Sequence, residues 1–192
     1  MRKKLLSLAG VVVISSLLLA CSESPKSPPP QAKPAASQGQ QPDATKCEFQ
    51  LVKDDTGAEM LQGPGKKIYK KNSGVNGPLE LFDLQGDFVL LSGWGFDRDA
   101  GVPPVGFALF VDGSCRALVS PVERPDVAAH FKNPRLNMTG FTFRVPKSVF
   151  EGRSPEDLRI FIVTQDSGVG EVDTRKAKEG SAKVLWKKSG PK

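Results

Sequence analysis

Val105-Gly106-Phe107-Ala108-Leu109-Phe110-Val111-Asp112-Gly113-Ser114-Cys115-Arg116-Ala117-Leu118-Val119-Ser120 is the stretch that decides the fold class. Phe107, Leu109 and Val111 recur at every second position, the period of a strand with one buried face. Asp112-Gly113 is a dipeptide that accepts the positive φ of a tight hairpin turn. Working outward, Phe141, Phe143 and Val145 repeat the alternation, as do Leu158, Ile160 and Ile162. Six half-buried strands are expected, over residues 79–84, 87–94, 105–111, 115–120, 138–145 and 158–165, with Gly86-Asp87 as a second turn. Pro125 and Pro146 each mark the start of a helical turn. Val184-Leu185-Trp186 is expected to dock as an edge strand, ordering residues 182–187 against the domain. Short strands with turn signals at this spacing predict an all-β domain, a single antiparallel sandwich.

Composition agrees. The chain of 192 residues carries 16 prolines and 19 glycines, which favours strands and turns over a helical bundle. One histidine and three cysteines exclude histidine-rich metal sites and four-cysteine zinc sites, and no cofactor is expected. The formal charge of +6 hides an uneven distribution. Residues 76–174 hold 9 basic and 14 acidic side chains, net −5, whereas residues 175–192 hold 7 basic and 1 acidic, net +6. Lys66, Lys67, Lys70 and Lys71 form a second basic cluster. Both clusters are read first as a solubilising lysine fringe, with contact to an anionic surface as the alternative. No nucleic-acid partner is expected, since no nucleic-acid motif accompanies the charge.

Arg2, Lys3 and Lys4 precede the uncharged apolar residues 5–20, and Leu18-Leu19-Ala20-Cys21 closes the stretch. Sixteen residues of helix span roughly 24 Å, short of a bilayer core, so a signal peptide over residues 1–20 is expected rather than a permanent span. The ending resembles the lipobox of bacterial lipoproteins. That resemblance implies lipid on Cys21, anchorage to a membrane, and, with Ser22 in place of aspartate, sorting to the outer membrane facing the periplasm. Residues 22–46 contain six prolines, four glutamines and no Leu, Ile, Val, Phe, Tyr or Trp. Residues 21–46 are therefore expected to be the lipidated cysteine and a disordered Pro-rich tether. With Cys21 acylated, Cys47 and Cys115 are the remaining thiols, and in an oxidising compartment they are expected to form a disulfide.

The succession Ser92-Gly93-Trp94-Gly95-Phe96-Asp97, Val111-Asp112-Gly113, Arg124-Pro125-Asp126-Val127-Ala128, Thr139-Gly140-Phe141 and Val145-Pro146 resembles a bacterial Ig-like β-sandwich module. The resemblance covers roughly residues 76–170. It implies an accessory, non-catalytic domain of the kind found beside membrane glycosyltransferases and in envelope proteins, and it carries no ligand residues with it. The domain is accordingly placed at residues 76–174, with 47–75 as an N-terminal extension and 175–192 as a basic C-terminal segment.

Within the motif, Trp94, Asp97, Arg124 and Asp126 are the candidate binding or structural residues. Asp126 is placed to cap a helical turn, and Arg124 is expected to pair with Asp97 where two loops meet. The functional alternative is a sugar-binding surface built from the Trp94 ring and these planar polar groups. No catalytic residue is assigned. His130, the only imidazole, has no nucleophile motif beside it. Gly63-Pro64-Gly65-Lys66-Lys67 lacks the glycine spacing and hydroxyl of a phosphate loop and reads as a turn. Asp97 and Asp99 read as loop charges. A lipid-anchored interaction module binding glycan or another envelope component is the expectation, against a structural partner in an envelope assembly and a small envelope hydrolase.

Overall fold

The computed structural model describes residues 47–186; Cys21, the tether and Lys187 to Lys192 lie outside them. In chain order the strands are β1 (Gln50–Lys53), β2 (Glu59–Gln62), β3 (Ile68–Gln85), β4 (Phe88–Trp94), β5 (Phe96–Asp97), β6 (Gly106–Val111), β7 (Ser114–Val119) and β8 (Val122–Glu123). A short helix α1 (Pro125–His130) follows, then β9 (Met138–Pro146), β10 (Leu158–Val163) and β11 (Gly168–Asp173). Single 3-10 turns punctuate the loops, including Lys147–Val149 after Pro146. The expected turns form: Asp112 and Gly113 have φ of 55° and 69°, and Gly86 has φ of 61°.

The strands build one curled sheet in the order β7-β6-β10-β11-β3-β4-β9-β8, with β2 and β5 also paired to β3 and β1 paired to β2. Curling brings β6 over β9, where the Phe107 and Phe141 rings lie 4.8 Å apart. Two segments turn the corner between the halves. One is β3, whose 18 residues pair with β11 early and β4 late. The other is the run from β7 to β8, broken at Ser120-Pro121, where proline removes a ladder donor.

The sheet is mixed, which corrects the antiparallel expectation: β11 runs parallel to β3. β10 and β11 form a hairpin, and β11 then lies beside a strand nearly a hundred residues upstream, so no local turn links the two. A second correction concerns β6, which is buried at every position rather than on one face. Its inward residues Phe107, Leu109 and Val111 join the main core. Ala108 and Phe110 face the other way and are covered by Phe49, Leu61 and Tyr69 from residues 47–75. The expected disulfide is present: Cys47 and Cys115 are bonded with Cα atoms 5.8 Å apart, tying this cover to β7.

The C-terminal expectation is half met. Residues 181–186 dock on the domain, but as the 3-10 turn Ser181–Leu185 rather than an edge strand. Side-chain bonds and one backbone bond, from the Gly152 N–H to the Leu185 carbonyl at 3.1 Å, hold the segment in place of a ladder. The Leu84 N–H donates to Ser181 Oγ at 2.8 Å, Ser181 also reaches Asp83, and the Trp186 indole donates to the Ala177 carbonyl at 3.0 Å. Trp186 is buried while Val184 points to solvent at 71% exposure.

Candidate functional site

Trp94, Arg124 and Asp126 meet at one end of the sheet, where β3, β4 and the start of α1 converge. β3 and β4 pair Leu79 with Gly93 and Leu81 with Ser92, leaving Glu80 as an extra residue in a bulge. A bulge re-aims its side chain, and here Glu80 accepts the Trp94 indole N–H at 2.9 Å. Arg124, the residue before Pro125, reaches the same carboxylate through Nη1 at 2.8 Å and Nη2 at 3.3 Å. On its other side it donates from Nε and Nη2 to the two oxygens of Asp126, at 2.8 and 2.7 Å. Gly140 lies under this side chain, and a Cβ there would come within 2.6 Å of Arg124 Cγ.

The guanidinium is thus clamped between two carboxylates. The hydrogen bonds from Arg124 hold the Asp126 carboxyl down at about 2, and Asp126 in turn raises the arginine above its ordinary value. Aromatic rings close the apolar side: Trp94 stacks on Phe96 at 5.8 Å, Phe131 meets both edge-on, and His130 packs against Phe131. Trp94 therefore belongs to a small second core with Phe96, Val127 and Leu136.

Three of the four candidate residues, Trp94, Arg124 and Asp126, come together; Asp97 does not. The expected Arg124–Asp97 pair is replaced, because β5 pairs with Val75 and Asn76 of β3 and turns Asp97 toward its own loop. Buried there, Asp97 accepts the backbone N–H groups of Asp99 and Ala100 at 2.9 Å and the Asn72 amide at 3.2 Å. Nor does Asp126 cap α1: Arg124 stands at the N-cap position without a side-chain cap, and Asp126 is spent on the guanidinium. Glu80, which completes the cluster, carries no signal in the sequence beyond being one acidic residue in a strand. Chemically the cluster pins α1 to the sheet, with its strongest donors already engaged.

The pin makes acid sensitivity measurable. A carboxyl whose folded pKa is depressed contributes stability that is fully present above its unfolded value, near 4, and is lost as the pH falls through about 2. Asp126→Asn is expected to remove part of the stability loss between pH 4 and 2. The change stays below about 1 kcal/mol because the Asp126 side chain is 63% exposed. Urea unfolding at pH 6, 4 and 2 checks it; parallel wild-type and variant curves across that window would refute the clamp.

Among the described residues no group of three or more His, Cys, Asp or Glu is placed to hold a metal ion. Comparison of the chain with protein-family models, with curated proteins and with solved structures finds no match.

Proposed function

We propose that the chain is an exported cell-envelope protein, anchored through lipid on Cys21 at the outer membrane facing the periplasm, whose β-rich domain is an Ig-like sandwich acting as a non-catalytic interaction or accessory module. The observation that carries this reading is the Cys47–Cys115 bond, because disulfides form and persist in oxidising compartments outside the cytosol. The signal-like residues 1–20, ending at Cys21, and the Pro-rich residues 22–46 supply the route and the leash. The two halves of the curled sheet, meeting at Phe107 and Phe141, favour the sandwich description. Envelope glycan or another envelope protein is the partner class.

A second reading, a structural partner in an envelope assembly, draws on one patch. Val122 of the short strand β8, Met138 and Phe131 are all more than a third exposed on the same end of the domain. Large exposed apolar residues grouped at a strand edge suit a protein contact.

Mass spectrometry of the mature amino terminus tests the anchor. The expected result is a chain beginning at Cys21 with acyl groups attached, and loss of both the acyl mass and membrane association in Cys21→Ser. An unmodified amino terminus in the soluble fraction would sink the proposal.

A further inference from the structure

β9 has a full neighbour on one side only. There β4 pairs with it from Trp94 opposite Gly140 to Phe88 opposite Pro146, with no slip in register. On the other side β8 meets it at Gly140 and Met138 and ends, since Pro121 precedes Val122 and the chain comes there from β7. In an antiparallel ladder the backbone groups of successive residues point to opposite neighbours. The Gly95 N–H donates to the Thr139 carbonyl at 2.9 Å, so Thr139, Phe141, Phe143 and Val145 face β4. Gly140, Thr142 and Arg144 therefore face the other way. Val122 takes Gly140, while Thr142 and Arg144 have no ladder partner on that side among the described residues. Both are exposed. Their N–H and C=O groups stand in line on an open strand edge, a template for one more strand.

The residues around the edge discriminate among the strands that could fill it. Antiparallel pairing of two copies centred on Thr142 or on Phe143 drives one β9 onto Gly140 of the other, where Val122 already sits. Centring on Arg144 sets two arginines opposite each other, a destabilising pair. Nor do the chain's own remaining segments suit it. Residues 22–46 contain six prolines, which cannot donate to a ladder, and residues 187–192 bring three lysines and a proline toward an arginine. Arg144 lies over the Phe88 ring, 3.5 Å from its centroid, and has no ion pair among the described residues. Its cross-strand complement is an acidic side chain.

We infer that this edge of β9 takes up a strand from another protein: an extended segment of about five residues, acidic on the face that carries Arg144 and apolar on the face that continues Phe143 and Val145. The inference rests on the second reading above, a partner in an envelope assembly, and states where and how that partner pairs. Backbone bonds to Thr142 and Arg144 supply the attachment, and the charge of Arg144 selects the sequence.

The test uses the full chain in detergent micelles and a fluorescent peptide, Thr-Val-Glu-Val-Glu-Val-Thr with both ends blocked, read by anisotropy and amide hydrogen exchange. Binding tighter than about 1 mM is expected. In the free protein the Thr142 and Arg144 amides should exchange faster than those of Phe141 and Phe143, and saturating peptide should slow the first two at least about tenfold. R144E is expected to weaken binding at least about threefold and to reverse the preference toward the counterpart peptide with lysine for glutamate. T142P removes an outward donor without touching the β4 ladder and is expected to abolish binding, whereas T142S retains it. R144E leaves the backbone intact and so decides the matter even where T142P disturbs the strand. No binding, binding unchanged in R144E, or no slowing at residues 142 and 144 overturns the inference, and a dimer in light scattering that T142P disperses assigns the edge to a second copy instead. Envelope cross-linking of the full chain reads the assembly separately: complexes there without peptide binding would leave that reading standing and end this one.

Discussion

Loss of the Cys47–Cys115 bond, by reduction or in a Cys47→Ser/Cys115→Ser double variant, is expected to lower the unfolding free energy by about 4 kcal/mol. The cross-link joins positions 68 residues apart, and the chain-entropy model assigns its stabilisation to the conformations it removes from the unfolded ensemble. The effect is also expected to be directional. Cys47 stands just ahead of Phe49 and β1, which shield the outward residues Ala108 and Phe110 of β6. Without the tie, the cover is held by two ladder pairs to β3, the Arg159–Glu59 ion pair and the apolar contacts of Phe49, Leu61 and Tyr69 with Ala108 and Phe110. Guanidinium unfolding of oxidised and reduced protein measures the stability change. Amide hydrogen exchange over residues 50–62 measures the loosening, which should exceed that over β9. Equal midpoints with and without reductant would show that the bond adds nothing to the fold.

The β6–β7 hairpin was legible because its signals are local. Apolar alternation over Phe107, Leu109 and Val111 and the φ-tolerant Asp112-Gly113 turn sit within a few residues of one another, and the structure forms them as read. β11 is the opposite case. Gly168-Val169-Gly170-Glu171-Val172-Asp173 is not among the six expected strands, and two glycines interrupt it, yet glycine is what the strand needs. A Cβ on Gly170 would lie 1.7 Å from the Val75 carbonyl oxygen, at the point where the register between β11 and β3 slips. Close approach of two backbones is a tertiary fact, invisible to a pattern of side chains. The continuous apolar run of β6 was read for one face only, since nothing within it announces that a distant segment covers the other.

The candidate site divides the same way. Pro125 at the first helical position predicts α1, and α1 is there. The partner of Arg124 is another matter: Glu80 lies 44 residues upstream and is aimed by a bulge whose existence depends on how β3 and β4 register. Asp97 and Arg124 are loop charges of opposite sign, and the pairing inferred from that alone gave way to the stronger local demand of Asp97, whose carboxylate closes its own turn.

Trp186→Ala is expected to cost about 3–5 kcal/mol, the range for deleting a large aromatic side chain from a core. Trp186 stacks on Phe82 with ring centroids 5.2 Å apart and planes 3° from parallel, and it meets Phe150 edge-on at 5.5 Å. Its indole N–H satisfies the Ala177 carbonyl, so truncation removes a buried hydrogen bond as well as the ring. The cavity would open at the point where the C-terminal segment covers the main core, next to Gly180, which already sits against the Phe82 carbonyl with no room for a Cβ. Undocking of residues 181–186 is therefore the expected structural response, and it would release Ser181 from Leu84 and Asp83 together with the ring. Val184→Ser supplies the contrast: two residues away and 71% exposed, it should change stability by less than about 0.5 kcal/mol. Thermal and urea unfolding of both variants measure the difference. A Trp186→Ala protein as stable as Val184→Ser would mean that the segment only rests on the domain, and that the core ends at Phe82 and Phe150.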